Sequence, residues 1–252
     1  MTVEPTWHLA LALGLLVGLA ILVSWWARLG TGKQVVIATL RAILQLGAVS
    51  FIVVLAIRQL WSASLFVLVM YVIAVHTTAK RTGAKRAWPW VALSVLAGVL
   101  PVLAIVFLTG TAPLNGYSMI PIGSITVGNM MTAHTLTGRR LFQELRDKVP
   151  TYEAGLAIGL ERRDAIAEVT APRVAEALVP NLDSTRTVGL VTLPGAFVGV
   201  LLGGGSAVQA GAAQVLVLVG IMVGQHVTVA TAHELIKRGL LLPDDLLSRL
   251  RP

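Results

Sequence analysis

No cysteine occurs among the 252 residues, which removes disulfide frameworks, iron–sulfur clusters and thiolate metal sites from consideration. Charge is scarce as well: Asp, Glu, Lys and Arg make up 13% of the chain against 56% hydrophobic residues, and mean hydropathy is +0.80. Soluble domains carry about 25% charged residues. The long apolar runs contain no Asp or Glu away from their ends, and no His-Glu-x-x-His, paired carboxylate or Ser/His/Asp set stands at useful spacing. These absences argue against an enzyme. A phosphate-binding loop is missing too: Gly32-Lys33 is followed by Gln34, where Ser or Thr should hold magnesium, and the upstream glycine is absent. ATP hydrolysis and a cofactor of its own are therefore not expected of this chain.

What is present is a series of apolar runs of membrane-spanning length, at about 7–27, 34–57, 62–79, 88–109, 117–138, 187–204 and 211–233. Backbone groups left unpaired in lipid are too costly for anything but helices or a closed barrel. Unbroken Leu/Val/Ala/Ile runs, in place of short alternating segments, select helices. The expected fold is all-α: a polytopic membrane protein of about seven transmembrane helices, with Pro101 interrupting the fourth run. A cleavable signal peptide is not expected, because the first run is too long and its leading segment carries Glu4 but no Lys or Arg.

The net charge of +8 is arranged by topology. Basic residues follow the first run (Arg28, Lys33), lie between the third and fourth (Lys80, Arg81, Lys85, Arg86), fill the segment after the fifth, and follow the last (Lys237, Arg238, Arg249, Arg251). Alternate connections hold Arg58 alone or no charge, as in Thr109–Gly116 and Gly205–Ala210. The bias predicts an outside N-terminus and a cytoplasmic C-terminus, which requires an odd number of spans. It explains the cations without a nucleic-acid partner, and the expected home is the bilayer of a bacterial inner membrane.

We read residues 1–252 as one permease domain whose sizeable soluble piece is the cytoplasmic loop 139–186. Gly159, Pro172 and Pro180 break that loop into short helical stretches. About 45 residues build little core alone, so helices lying on or under the membrane are expected.

Within the loop, Glu153-Ala154 followed by Gly159 resembles the EAA loop of ABC-transporter permeases, in which a short cytoplasmic helix seats in a groove of a separate ATPase. The ordinary reading of that fragment alone is a surface helix stopped by glycine. Further stretches raise the specificity. Ile120-Pro121-Ile122-Gly123 and Gly128-Asn129-Met130-Met131 are similar to the fifth-span signature of the FetB-type permease family. The run PNLDSTRTVGLVTLPG from Pro180 to Gly195 is similar to its entry into the sixth span, and Arg41 with Gln45 matches its R-x3-QL element. The order and spacing hold from about residue 34 to 225. Ser124-Ile125 and Ala196-Phe197-Val198 depart from the family's methionine-bearing pattern, so methionine contacts are not carried over there. The resemblance implies the permease subunit of an ABC exporter, associated with iron efflux in bacteria and aluminium tolerance in plants. A homodimer would work with a partner ATPase that binds ATP and magnesium. Glu153, Ala154 and Gly159 would then couple to that ATPase.

Other residues admit two readings each. Arg41 lies about seven residues into the second run, about 10 Å deep, with Gln45 on its face. It either snorkels to the headgroups or pairs with Asp183 ahead of the sixth run and braces the bundle. Asn129, downstream of Pro121, either lines a transport path or makes an interhelical hydrogen bond. Gly195, Gly199 and Gly203 form a small-residue face suited to close helix packing, within one chain or between two copies. His134, His226 and His233 lack carboxylate or thiolate company at ligand spacing, so local hydrogen bonding is the expected role and no metal site is assigned. The competing class is an ATP-independent secondary transporter or channel, which calls for an intramembrane acid or inverted halves; neither is visible.

Overall fold

The computed structural model describes residues 6–250, so Glu4 and Arg251 lie outside the described residues. The chain is an all-α polytopic membrane protein. By its internal contacts it divides into two compact units, Met1–Arg58 and Gln59–Pro252.

The first unit is a helical hairpin of α1 (Trp7–Trp26) and α2 (Gly32–Ala56). Its turn is closed by Ser24, whose hydroxyl accepts the backbone N–H of Thr31 at 3.0 Å and meets its hydroxyl at 3.0 Å. Most of its Leu, Ile, Val and Phe side chains are exposed and none is buried among the described residues, which suits helices whose solvent is lipid.

The second unit is built on α3 (Leu60–Thr82), α4 (Trp88–Leu108), α5 (Gly116–Asp147) and α10 (Ala207–Lys237). In hydrocarbon, apolar burial gives little drive to associate, so close backbone approach decides packing. The glycines show it. A Cβ on Gly98 would stand 2.0 Å from Thr228 Oγ1 and 2.5 Å from the Gly224 carbonyl, so α4 and α10 nearly touch. A Cβ on Gly123 would stand 2.8 Å from a Val67 methyl, so α5 also packs closely on α3. α4 runs unbroken through Pro101.

Among the described residues, five helices (α1, α2, α3, α4 and α10) are long and apolar enough to cross a membrane. α5 differs from its expected span: it continues past residue 138 to Asp147, 32 residues in all and about 48 Å long. Its last turns are a charged stalk bearing Arg140, Glu144 and Arg146. The stretch 187–204, expected as a sixth spanning helix, is not one helix. α8 (Val179–Arg186) ends before it, residues 187–194 form turns, and α9 (Gly195–Leu202) has 8 residues, about 12 Å. Two local causes are visible. Gly189 takes φ +82 in the turn, and Pro194, without an N–H to give, sits at the N-cap of α9. A turn through Gly203, Gly204 and Gly205 follows, and a capping box starts α10: Ser206 and Gln209 exchange side-chain-to-backbone hydrogen bonds of 2.9 and 3.2 Å.

Candidate functional site

Between α5 and α10, at the end of the bundle that carries the basic residues, lie α6 (Val149–Ala157), α7 (Arg162–Val174), a single 3₁₀ turn at Ala175–Ala177, and α8. Pro150 in its first turn helps start α6, since a missing N–H costs nothing there. Its end is a left-handed stop. Gly159 sits at φ +93, its N–H donates to the Leu156 carbonyl at 3.0 Å, and the Leu160 N–H donates to Gly155 at 3.0 Å. This is a Schellman closure, and a Cβ at Gly159 would be strained although nothing crowds it.

One face of α6 is buried and the other is bare. Tyr152 is 1% exposed, and its hydroxyl donates to the Leu250 carbonyl at 3.3 Å. A Cβ on Gly155 would meet Ala165 of α7 at 3.3 Å, so the two short helices are in contact there. On the opposite side Glu153, Ala154 and Ala157 are exposed, and Ile158 at the tip is 81% exposed. Glu153 makes no ion pair among the described residues. An exposed isoleucine on a helix held firmly from behind offers a partner an apolar peg, with a carboxylate beside it.

The backing comes from the C-terminal segment. Leu241, Leu242, Leu246 and Leu250 are at most 1% exposed and join Tyr152, Ile166, Leu141 and Leu145 in one core. The loop helices therefore share the bundle's own core. The short helix α11 (Asp244–Arg249) is pinned by Arg146, whose Nε and Nη2 donate to the Asp245 carboxylate at 2.7 and 3.1 Å. That guanidinium holds the Asp245 carboxyl below its ordinary range. Along the stalk, Glu144 takes Lys148 at 2.7 Å and Arg173 at 3.3 Å, while Glu176 takes Arg173 at 2.6 Å and Arg140 at 2.9 Å. Lys148 chiefly lowers the Glu144 carboxyl, and Arg173 chiefly lowers that of Glu176. Single exposed pairs contribute little, but this network joins α5 to α7 and the 3₁₀ turn at several points.

The remaining candidates are scattered. Arg41 and Gln45 are exposed one turn apart on α2 in the first unit. Asp183 lies in the second unit on α8, where it takes Arg186 at 3.3 Å. Asn129 spends its side-chain amide on its own helix, donating to Ile125 at 2.8 Å; the interhelical link runs instead from Gln225 Nε2 to the Asn129 carbonyl at 3.5 Å. Gly195 and Gly199 on α9 have nothing within 4 Å of an added Cβ, and Gly203 meets only carbonyls of its own helix. His226 bonds the Met222 carbonyl at 2.7 Å and His233 meets the Thr170 hydroxyl at 2.9 Å. His134 is fully buried, and its two ring nitrogens have no hydrogen-bond partner among the described residues.

Sequence reasoning grouped Glu153, Ala154 and Gly159 but did not anticipate that Gly155 packs on Ala165 or that the C-terminal segment backs Tyr152. A signal for the last was there: Leu242, Leu246 and Leu250 recur at i, i+4, i+8 across a Pro243-Asp244-Asp245 helix start.

Residues 6–241 match the sequence profile of a family described as uncharacterised protein family UPF0014. The Probable iron export permease protein FetB of Escherichia coli is 31% identical over 214 residues, 83% of this chain and 82% of that protein. Protein ALUMINUM SENSITIVE 3 of Arabidopsis thaliana is 30% identical over 209 residues, 82% of this chain and 76% of the relative. UPF0014 membrane protein YjkA of Bacillus subtilis is 28% identical over 225 residues, 88% and 90% of the two chains. No solved structure matches the chain.

Proposed function

Because the chain belongs to the uncharacterised protein family UPF0014, we propose that it is the membrane-spanning permease subunit of an ABC exporter for iron or another metal species. Energy comes from ATP and magnesium bound by a separate ATPase subunit. One observation carries the reading: α6 presents Glu153, Ala154 and Ile158 outward while Tyr152 and Gly155 anchor its back. Ile158 at its tip is 81% exposed beside Glu153, which gives a partner an apolar contact with a carboxylate next to it. ATP binding closes the partner ATPases and pushes α6, and the shared core of Tyr152, Leu145 and Leu250 passes the push to the α5 stalk.

Iron enters through the name of the Escherichia coli relative, and a bacterial inner membrane fits the same comparison. Two copies of the chain work together, and the open glycine face of α9 at Gly195 and Gly199 suits close approach of a second copy. The test is co-expression with a separate ATPase, co-purification, and transport of iron into inverted vesicles. ATP-dependent uptake that needs both polypeptides is the expected result. Uptake that persists without any ATPase subunit overturns the proposal and favours a secondary transporter or channel.

A further inference from the structure

The basic end of the second unit has a cation cluster that the coupling surface does not use. The turn between α3 and α4 places Lys80 and Lys85 around a cavity of about 290 Å3, closed by His76, Ala79 and Trp88. Directly against it lies a second cavity of about 190 Å3, lined by Val72, Val75 and Ala92 and sharing His76 and Trp88 with the first. The one hydroxyl in the upper cavity, that of Tyr71, is already spent on the Ala92 carbonyl at 2.8 Å. One compartment is therefore cationic and the other apolar, with an indole and an imidazole at the join.

Among the described residues, Lys80 and Lys85 share the lack of an ion pair with Arg81, Arg139 and Arg249 at this end, and what sets them apart is the cavity they line together. Elsewhere on the same end, Arg86, Arg140, Arg146, Lys148, Arg163 and Arg173 all have carboxylate partners. Lys80 and Lys85 have none among the described residues, and both are exposed. The turn that holds them is itself fixed: Ala84 and Ala87 are buried in the core on either side of Lys85. Two unpaired ammonium groups lining one cavity at a membrane edge, with the neighbouring Asp244 paired to Arg86 at 3.8 Å, suit an anion from outside the chain.

We propose that this paired cavity is a binding site for an anionic phospholipid, its phosphate between Lys80 and Lys85 and the start of an acyl chain against Val75, Ala92 and the Trp88 ring. A free phosphate satisfies the lysines but leaves the apolar compartment unused, so the observations favour the lipid. Exposed Trp88, 59% accessible, sits where an interfacial indole joins headgroup and hydrocarbon.

The test uses the full chain in nanodiscs of mixed phosphatidylglycerol and phosphatidylcholine, with lipid retained on the released protein counted by native mass spectrometry. The expected result is selective retention of phosphatidylglycerol, reduced about tenfold or more in Lys80→Gln/Lys85→Gln, a step of about 1.4 kcal/mol. The double variant Arg139→Gln/Arg249→Gln removes equal charge from the same end and keeps the selectivity. Equal loss in both double variants shows general surface attraction and overturns the proposal. So does undiminished selectivity in the lysine variant. On the unaltered chain, millimolar glycerol 3-phosphate is expected to leave retention unchanged; displacement of the lipid by it shows a free-anion site and overturns the lipid assignment.

Discussion

Gly98→Ala adds one methyl group where α4 crosses α10, and the structure fixes what that methyl meets. It lands 2.0 Å from Thr228 Oγ1, 2.5 Å from the Gly224 carbonyl oxygen and 3.0 Å from Met130 Sδ. The Met130 thioether can swing aside, but a backbone carbonyl in the middle of a helix cannot. The two helices must therefore part by roughly 1 Å, and overpacking of this kind costs about 1–3 kcal/mol. With a backbone atom among the clashes the upper half of that range applies, equivalent to a fall of roughly 4–12 °C in thermal midpoint for a chain of this size. The assay is the thermal midpoint of purified protein in detergent, read by loss of the monodisperse chromatographic peak. Thr228→Ala in the Gly98→Ala background is expected to recover only part of the loss, because it removes the hydroxyl and leaves the carbonyl. Gly211→Ala is the paired control: it lies inside α10 with nothing within 4 Å of its Cβ, so the same substitution is expected to hold or raise the midpoint. An unchanged midpoint for Gly98→Ala, or equal losses for Gly98→Ala and Gly211→Ala, would refute the close crossing.

Gly159→Ala forces a Cβ into φ +93 and is expected to cost about 1–2 kcal/mol locally. The bundle midpoint should barely move, while hydrogen exchange at Leu160 accelerates as the closure opens. The Arg146–Asp245 pair has a stated pH window. The folded carboxyl titrates below its unfolded value, so its stabilisation is complete above about pH 4 and is lost as pH falls through the lower folded value. Protection of the amides at Leu246 and Leu250 should therefore be flat from about pH 8 to about pH 5 and fall in acid, and Asp245→Asn should lower it at neutral pH. Tyr152→Phe removes the bond to the Leu250 carbonyl and is expected to cost about 0.5–1.5 kcal/mol, seen as faster exchange in α11 with α10 unaffected.

The membrane helices were legible because lipid imposes a length and a composition that few other constraints override, and α1 to α4 and α10 lie close to where the apolar runs predict them. α5 was legible only in its membrane part. Its stalk depends on Arg140, Glu144 and Arg146 finding partners on α7, the 3₁₀ turn and α11, and such partners are distant in sequence. The run 187–204 misled because apolar composition cannot distinguish a spanning helix from turns followed by a short helix. Gly189, Pro194 and the triple glycine at 203–205 were the readable warnings. The short helix stopped at Gly159, with Glu153 and Ala154 exposed on it, was legible from the Glu153-Ala154 pair and the glycine. What holds them from behind came from Tyr152 meeting residues some hundred positions later, a contact no local pattern encodes.

The central claim is that the outward face of α6 seats in a separate ATPase, and Ile158→Glu tests it most directly. The side chain is 81% exposed, so the substitution should leave expression and thermal midpoint within about 0.5 kcal/mol of the parent. Retention of the co-expressed ATPase on the tagged permease is the quantity to measure, alongside ATP hydrolysis by the purified assembly. Burying a carboxylate in place of the apolar peg costs at least about 1.4 kcal/mol, so retention is predicted to fall tenfold or more, with hydrolysis falling alongside. Retention and hydrolysis at the parental level in a folded Ile158→Glu protein would contradict the account.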